Sequence, residues 1–459
     1  MYAKRIRLTG LLVWILAVFV WTGPALAQPR PASEQHVIVI SIDGLLPEFY
    51  LPGKRELKDS TLLALRDAGS FAKAMLPVYP SVTYVSHASL STAVLPEKHG
   101  ITANNALDTR TGDGRGNWYA SDLKAQPVWD AAKRAGLTVG SISWPTTAGS
   151  KSIDWNVPEF WTTRYAQEPA LVRKYASGGV LEMMAKAGRK LDNVHLNIMP
   201  PRDSFMAATA VELIRLKKPN LLLVHLIDLD HEQHLEGRDW PGHREVMERL
   251  DAHVREIVAA TRAAGIYGRT TFIILGDHGT TDVRTSLAPN TLLAQEGLLR
   301  YRDGKIEAWD AIAQNTGGSA GVYLRENNKA LLRRVSSLFE KNRLGADGKP
   351  MYRLIDRDEL TRLGGPAAAA FYLEGENGTM FSGSIGTGSW IRRSALRGNH
   401  GFLPSKPDMH TGFIAFGRGV RKGVTMDTIR VTDVAPTVAY LLGFPFETPH
   451  GRILREILK

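Results

Sequence analysis

The chain has 459 residues, a formal net charge of +11 and no cysteine. The lack of cysteine excludes disulfides and thiolate metal ligands, so any metal must be held by histidine, aspartate, glutamate or a hydroxyl. The positive charge fits a phosphate-bearing small-molecule substrate, but it fits plain solubility or weak adhesion to nucleic acid and lipid headgroups equally well. We therefore expect no specific nucleic-acid partner.

Residues 1–27 have the pattern of a secretory signal peptide. Three basic residues precede an apolar stretch from Leu11 to Trp21, and an Ala-x-Ala site ends at Ala27. This apolar stretch is too short to span a bilayer, although an uncleaved membrane anchor is the alternative. The pattern predicts cleavage after Ala27, a periplasmic or secreted protein, and no stable membrane insertion after cleavage.

Short apolar runs predict the strands of one sheet. They cover residues 36–42, 137–143, 220–227, 271–276 and 412–416. Runs that are apolar on both faces and separated by helix-length segments are typical of a mostly parallel sheet between layers of helices. The sequence therefore predicts an α/β fold. In such sheets the ligand site lies at the carboxyl ends of the strands, where several acidic residues fall.

Two of these strand ends carry candidate metal ligands. Asp43 directly follows the first strand, where a carboxylate can bind a metal, although capping of the next helix is the alternative. Asp277 and His278 follow a later strand and stand between two glycines. Because the chain turns at a strand end and glycine permits sharp turns, both side chains can reach one metal.

Thr83 lies just ahead of a helix-like segment that runs to about Val94. The NH groups and the positive dipole end of a helix N-terminus favour a bound phosphate, and a metal can turn a hydroxyl there into a nucleophile. Ser81 and Ser86 compete for this role, and a plain helix cap is the alternative.

Two further segments supply histidine ligands. Asp230 and His234 are four residues apart, so on a helical turn they share one face and can hold one ion. His400 stands before a glycine late in the chain, and a solvated loop histidine is the alternative there. The rival ligands are Asp228, His231 and His410.

The stretch from about residue 284 to 398 shows few long apolar runs and many glycines. The candidate ligands nevertheless extend from Asp43 to His400, so one domain must contain both ends. We therefore expect residues 28–459 to form one catalytic domain, with an insertion at about 284–398 that caps the site.

Together these segments resemble the nucleotide pyrophosphatase/phosphodiesterase family of the alkaline phosphatase superfamily, over nearly the whole chain after the signal peptide. That family has a strand-end Asp, a threonine nucleophile followed by Asn-His, an Asp-x-x-x-His-x-x-Gly motif, an Asp-His-Gly motif and a late His-Gly. The matching positions are Asp43, Thr83 with His87, Asp230 with His234 and Gly237, Asp277-His278-Gly279, and His400-Gly401. The chain departs from the family at Ser86, where the family has Asn, and at Asp228-Leu229, where it has Glu-Pro; these departures concern substrate contacts more than metal binding.

The resemblance implies an alkaline-phosphatase-like fold with two divalent metal ions, predicted to be zinc. The implied ligands are Asp43, Thr83, Asp277 and His278 for one ion, and Asp230, His234 and His400 for the other. The family also has an Asn twenty-one residues after its nucleophile that donates to a phosphoryl oxygen. That position is Asn104 here, and a turn residue is the alternative.

The implied function is a phosphodiesterase or nucleotide pyrophosphatase in which Thr83 attacks phosphorus and water then hydrolyses the covalent intermediate. A phosphomonoesterase or phosphonate hydrolase on the same site is the alternative within the enzyme class, and an inactive phospho-ligand-binding protein is the alternative outside it. A sulfatase is not expected, because there is no cysteine to become formylglycine. Four aromatic residues are either base-stacking or core residues: Tyr84, Trp144, Trp155 and Tyr372.

Overall fold

The computed structural model of the protein describes residues 34–110, 114–161, 168–192, 198–303 and 305–459. The predicted signal peptide lies outside these ranges. Within them, no helix is both long enough and apolar enough to cross a membrane.

The described residues form strands and helices that alternate over much of the chain. The strands are β1 (His36–Ile42), β2 (Ser70–Leu76), β3 (Val139–Ile142), β4 (Trp155–Val157), β5 (Leu221–Leu226), β6 (Thr270–Leu275), β7 (Thr281–Asp282), β8 (Thr285–Leu287), β9 (Leu299–Arg302), β10 (Lys305–Trp309), β11 (Ala311–Asn315), β12 (Ser319–Leu324), β13 (Tyr352–Ile355), β14 (Phe371–Gly375), β15 (Thr379–Phe381), β16 (Ile391–Arg393), β17 (Gly398–Asn399), β18 (Thr411–Gly417) and β19 (Val424–Arg430). The helices are α1 (Thr61–Ala68), α2 (Thr83–Thr92), α3 (Pro96–His99), α4 (Val128–Arg134), α5 (Glu168–Tyr175), α6 (Val180–Lys186), α7 (Pro201–Lys217), α8 (Asp228–Glu236), α9 (His243–Ala263), α10 (Pro289–Gln295), α11 (Lys329–Lys341), α12 (Arg357–Arg362) and α13 (Val434–Leu442).

The main sheet has eight strands in the order β19-β2-β18-β6-β1-β5-β3-β4. All pairings in it are parallel except those of β18, which runs antiparallel to β2 and β6. The five predicted strands are β1, β3, β5, β6 and β18, and each lies within two residues of its predicted bounds. The prediction of a mostly parallel sheet is therefore confirmed.

Strand β1 shows why the sheet is covered on both faces. All seven of its residues are buried. Side chains alternate between the two faces of a strand, so Val37 and Val39 pack into one apolar core, and Ile38, Ile40 and Ile42 pack into the other. Helices α2, α4 and α13 contribute to the first core, and α7 and α9 contribute to the second. The predicted layers of helices on both sides of the sheet are confirmed.

Helix α9 illustrates how the sequence pattern produces this layer. Its buried residues Val246, Leu250, Val254 and Ile257 recur at the spacing of one helical face, and the helix packs against α7. Each such side chain stabilises the fold by about 1.5–3 kcal/mol relative to an exposed one.

The stretch between β7 and β17 builds smaller sheets of its own. Strands β11, β12, β14 and β13 form an antiparallel sheet in that order. Val322, Phe339, Tyr352 and Leu373 lie in a third apolar core on this side of the molecule. The strands are only three to six residues long, which is why the stretch lacks long apolar runs. That this region caps the site stays a prediction.

Candidate active site

The sheet topology explains why distant residues meet. Strands β6, β1 and β5 are adjacent and parallel, so their carboxyl ends lie at one edge of the sheet. Asp43 follows β1, Asp277 follows β6, and α8 with Asp230 follows β5. A hydrolytic site at this edge is what the sequence predicts, and the structure brings all seven predicted metal ligands to it.

The first group consists of Asp43, Asp277 and His278, whose ligand atoms all lie within 4.8 Å of one another. His278 Nε2 is 3.2 Å from Asp43 Oδ1 and 3.3 Å from Asp277 Oδ2. Gly44 permits this approach, because its φ is +70° and its NH donates to Asp277 Oδ1 at 3.2 Å. A side chain there would collide with Gln233 Oε1, 2.4 Å from the Cβ position.

Thr83 is the first residue of α2 and is buried beside this group. Its Oγ1 lies 3.3 Å from His278 Nε2. The helix cap is Val82, with no side-chain cap bond, so the capping alternative for Thr83 does not apply. Of the rival hydroxyls, Ser81 donates to Phe402 O at 2.7 Å, and Ser86 lies one turn further along α2.

The second group surrounds Asp230. His234 Nε2 lies 3.3 Å from Asp230 Oδ2, and His400 Nε2 lies 3.7 Å from Asp230 Oδ1. His278 also comes within ligand distance of Asp230 and His400, and its ring stacks on that of His400 at 3.7 Å. His278 therefore stands between the two groups, and its assignment to one ion stays a prediction.

Backbone carbonyls orient the three imidazoles. The Nδ1 atoms of His234, His278 and His400 lie 3.0, 3.1 and 3.2 Å from the carbonyl oxygens of Gly398, Gly279 and Ser81. Because a carbonyl only accepts, each Nδ1 carries a proton, and in the neutral ring each Nε2 keeps a lone pair towards the site. This arrangement is typical of metal-binding histidines.

The rival ligands take no part in these groups. Asp228 Oδ2 instead accepts from Arg249 Nη2 at 2.9 Å. Neither His231 nor His410 belongs to either group whose ligand atoms lie within 4.8 Å, in the part of the chain that the structure describes. His234 is also outside these two groups, but its Nε2 is 3.3 Å from Asp230 Oδ2.

Three carboxylate oxygens indicate that this site can bind cations. Asp43 Oδ1, Asp230 Oδ1 and Asp277 Oδ2 are buried and have no hydrogen-bond partner among the described residues. Burying a carboxylate without a partner is costly, and a bound divalent cation removes that cost. Oxygen and imidazole donors in two overlapping groups suit zinc, so the residues fit two such ions.

The pKa values of the carboxylates agree with this fit. Burial, together with the neighbouring Asp230, raises the pKa of Asp43 well above its usual value. Burial and the charge of Asp43 likewise raise the pKa of Asp277. Burial alone would raise the pKa of Asp230, but His234 and His400 hold it below its usual range. The site thus concentrates more negative charge than its own protein partners neutralise.

Burial holds two of the three imidazoles at the site neutral, whereas Asp230 outweighs burial and raises the pKa of His234. Burial lowers the pKa of His400 to about 4, and burial with neighbouring His400 lowers the pKa of His278. Metal ligation requires the neutral form of histidine. His278 and His400 are therefore ready to bind a cation at neutral pH.

Asn104 lines the same cavity as Thr83. Its Oδ1 accepts from the NH of Tyr84 at 3.0 Å, which fixes the orientation of the amide. The amide nitrogen is then the end available for donation. This bond ties Asn104 to the first turn of α2, beside Thr83, rather than leaving it as a plain turn residue.

The cavity wall contains residues that sequence reasoning did not single out. Trp118, Trp161 and Glu159 line it together with Tyr84, whereas none of its described lining residues comes from 284–398. Of the four aromatic residues considered for base stacking, only Tyr84 is among them. No local pattern distinguishes Trp118 or Trp161 from a core tryptophan.

A buried polar chain behind Asp43 was also missed. His225 Nε2 lies 3.2 Å from Asp43 Oδ2, and its Nδ1 lies 2.9 Å from Glu159 Oε2. Arg202 Nη2 donates to Ser143 Oγ at 2.9 Å and lies 3.4 Å from Glu159. The one available signal was His225 itself, a lone polar residue in the otherwise apolar strand β5.

Burial and ion pairing shift the pKa values of Glu159 and His225 in opposite directions. Burial raises the pKa of Glu159, but His225 and Arg202 outweigh it and lower the value overall. For His225, burial lowers the pKa and Glu159 raises it overall. The pair therefore favours its charged form behind Asp43.

His99 anchors the turn that leads to Asn104. Ser89 Oγ donates to Val94 O, so His99 Nε2 must donate to Ser89 Oγ at 2.9 Å. His99 Nδ1 accepts from the NH of Ile101 at 3.1 Å. Only the neutral ring satisfies both bonds, and burial lowers the pKa of His99 to about 3.

This gives a prediction for pH dependence. The unfolded ring takes up a proton below about pH 6.5, whereas the folded ring resists it, so stability from His99 is complete above that pH and is lost as the pH falls towards 3. Between about pH 7 and 4.5, the parent should lose about 2–3 kcal/mol more unfolding free energy than His99→Asn. Urea unfolding of both proteins in a chelator measures this, and equal losses would contradict it.

Comparison with known proteins places this geometry in context. Residues 37–403 match the family described as type I phosphodiesterase / nucleotide pyrophosphatase. The sequence is 24% identical over 272 residues to an uncharacterized pyrophosphatase/phosphodiesterase of Schizosaccharomyces pombe, covering 57% of this chain and 48% of the relative, so the chain spans about half that relative's length. It is 22% identical over 432 residues to human ectonucleotide pyrophosphatase/phosphodiesterase family member 5, covering 91% of this chain and 76% of that protein.

Solved structures show the same fold. Human ectonucleotide pyrophosphatase/phosphodiesterase 5 superposes with a TM-score of 0.67 at 18% identity, covering 93% of this chain and all of that one. An inactive variant of the murine protein in complex with AMP gives a TM-score of 0.66 at 19% identity, over the same shares. The predicted alkaline-phosphatase-like architecture is confirmed.

Proposed function

Because the chain belongs to the type I phosphodiesterase/nucleotide pyrophosphatase family, we propose that it hydrolyses phosphodiester or pyrophosphate bonds with Thr83 as nucleophile and two zinc ions. One observation carries the proposal. Three carboxylates, each with a buried oxygen that lacks a hydrogen-bond partner among the described residues, gather with three imidazoles beside the Thr83 hydroxyl. A dinuclear metal site next to a hydroxyl suits in-line phosphoryl transfer.

The proposed reaction has two steps. Thr83 Oγ1 bonds to phosphorus, its proton passes to solvent, and the bond from phosphorus to the leaving oxygen breaks. Water then attacks phosphorus, the bond to Thr83 Oγ1 breaks, and a phosphate monoester is released. Asn104 donates to a non-bridging oxygen that gains negative charge. Bound zinc would lower the pKa of the hydroxyl and neutralise negative charge on the phosphoryl group.

The cavity wall favours diesters over monoesters. A monoester carries an additional negative charge, which a basic side chain would have to offset. Among the described lining residues there is no Lys or Arg. Asn104 is a neutral donor. A diester, with one negative charge, therefore fits this wall better.

The leaving group is proposed to be aromatic or nucleoside-like. Tyr84, Trp118 and Trp161 line the cavity, and aromatic side chains suit an aromatic leaving group. The murine relative bound AMP in its inactive form, which supports a small nucleotide ester as substrate. A panel of nucleotide, lipid-headgroup and phosphonate esters would identify the class by comparison of kcat/KM.

Turnover by the zinc-loaded protein tests the proposal against the alternatives. The protein should release nitrophenol from a nitrophenyl phosphodiester, lose this activity on chelation and regain it with zinc. Binding of the ester without turnover, in a protein that holds two zinc ions, would instead support an inactive phospho-ligand-binding protein. A phosphonate ester cleaved faster than any phosphate ester would support the phosphonate hydrolase.

Export is a further part of the proposal, and it rests on the pattern of residues 1–27. The full chain, expressed in a Gram-negative host, should appear in the periplasm or medium with Gln28 as its first residue. N-terminal sequencing of the purified protein measures this. Retention of Met1 on a membrane-bound product would support the uncleaved anchor.

A further inference from the structure

A buried glutamate in the second sheet contacts two segments of the site. Glu374 lies in β14 and is fully buried. Its Oε1 accepts from the NH of Leu403 at 3.0 Å and from Lys406 Nζ at 2.9 Å. Its Oε2 accepts from the hydroxyl of Tyr79 at 3.2 Å. One carboxylate therefore joins β14 to residues close to Thr83 and to residues close to His400.

These two segments are also bonded to each other. We call residues 79–83 the nucleophile segment and residues 400–406 the His400 segment. Ser81 Oγ donates to Phe402 O at 2.7 Å, and His400 Nδ1 donates to Ser81 O at 3.2 Å. A shift of either segment therefore moves the other, and Glu374 bonds to both.

The start of strand β12 and the residues just before it fix the His400 segment from a second direction. The NH of Gly318 donates to His400 O at 2.6 Å, and Ser319 Oγ donates to Gly401 O at 2.7 Å. Gly401 has a φ of +90°, and a Cβ there would lie 1.8 Å from Thr316 O. Backbones this close leave the segment little freedom once the second sheet is in place.

The chemistry of Glu374 suggests a role beyond folding. A buried ion pair rarely stabilises a fold more than apolar residues of the same volume would. Here the carboxylate and Lys406 are placed where two site segments meet, and all three donors converge on one side chain. Such a connection fixes the position of the nucleophile segment relative to the His400 segment. It adds no apolar contact.

We propose that Glu374, in the inserted region, is a positioning residue that fixes the position of Thr83 relative to His400. This role rests on the proposed function of the site. Glu374 touches neither the reacting atoms nor the ligand atoms. It acts through Tyr79 on the nucleophile segment and through Leu403 and Lys406 on the His400 segment. The region 284–398 then contributes to catalysis by placing a metal ligand.

Glu374→Gln tests this role, because it keeps the shape and removes the charge. We expect the affinity for one of the two zinc ions to fall about tenfold or more, as when a partner behind a metal ligand is lost. The matched control is Asp310→Asn, which breaks the ion pair of Asp310 with Arg325 at 3.0 Å in the same region but contacts neither segment nor Glu374. The control should keep the zinc affinity of the parent.

Each full-length protein is measured in three ways. These are zinc affinity at buffered free zinc concentrations, kcat and KM for a nitrophenyl diester, and Tm. A lower Tm in Glu374→Gln with zinc affinity and kcat equal to the parent would show a merely structural role and overturn the proposal. The measurement of zinc affinity does not require catalytic activity. A parent that binds two ions but cleaves no diester would therefore refute the proposed function, while the zinc comparison would still decide the role of Glu374.

Tyr79→Phe distinguishes the connection of Glu374 to the nucleophile segment from its connection to the His400 segment. This variant also tests the proposal if Glu374→Gln does not fold. It removes one hydroxyl and leaves the bonds of Glu374 to the His400 segment intact. We expect kcat to fall about tenfold, with zinc affinity within about threefold of the parent, because the bonds of Glu374 to Leu403 and Lys406 still hold the His400 segment. Parent values of kcat in this variant would overturn the proposed connection to the nucleophile segment.

Discussion

Thr83→Ala is expected to abolish diester turnover while leaving the bound zinc in place. The proposed nucleophile is lost, but six other proposed ligands remain around the two ions. Loss of a nucleophile lowers kcat by roughly a thousandfold or more. The measurement is kcat for a nitrophenyl diester together with elemental analysis of zinc in the same preparation.

The matched control is Ser86→Ala, which removes a hydroxyl one turn further along α2. It should keep at least about a tenth of parental kcat, since it lies outside the proposed first contact with phosphorus. Near-parental rates in a zinc-replete Thr83→Ala protein would move the nucleophile elsewhere, with Ser81 and Ser86 as the next candidates.

Asp277→Asn and His400→Ala should each remove metal, but from different sites. Asp277 belongs to the group around Asp43, and His400 belongs to the group around Asp230. Removal of one direct ligand lowers metal affinity by tenfold or more, by about 1.4 kcal/mol at least. Elemental analysis should find about two zinc ions per chain in the parent and about one in each variant.

His410→Ala is the control for this experiment. His410 is the histidine that rivals His400 in the sequence, yet it lies in neither group of ligand atoms among the described residues. The control should therefore keep both ions. Retention of both ions in His400→Ala, with loss in His410→Ala, would reverse the assignment.

The parts of the site that follow buried strands were predictable. Runs such as residues 36–42 are apolar on both faces, which indicates a strand covered on both sides. Acidic residues directly after such runs must lie at the sheet edge where ligands bind. The sequence thus predicts Asp43 and Asp277 at the same edge of the sheet, and the family resemblance assigns both to one ion.

The parts of the site that combine residues from different layers of the fold were not predictable from the sequence. Glu159 follows β4, Arg202 lies on α7 and His225 lies in β5, and only the packing of the sheet against α7 brings them behind Asp43. Glu374 gave no signal either, because a glutamate in a short strand of Phe371–Gly375 looks like a solvent-facing residue. Contacts of this kind depend on tertiary geometry, which the pattern of a single strand or helix does not contain.

The proposed preference for diesters is tested most directly by kcat/KM for a nitrophenyl phosphate diester and its monoester on one zinc-loaded preparation. The neutral donor Asn104, in a cavity wall with no Lys or Arg among its described residues, predicts that the diester has the higher kcat/KM. Loss of both activities in Thr83→Ala would show that they share the site. A higher kcat/KM for the monoester would contradict the assignment as a phosphodiesterase.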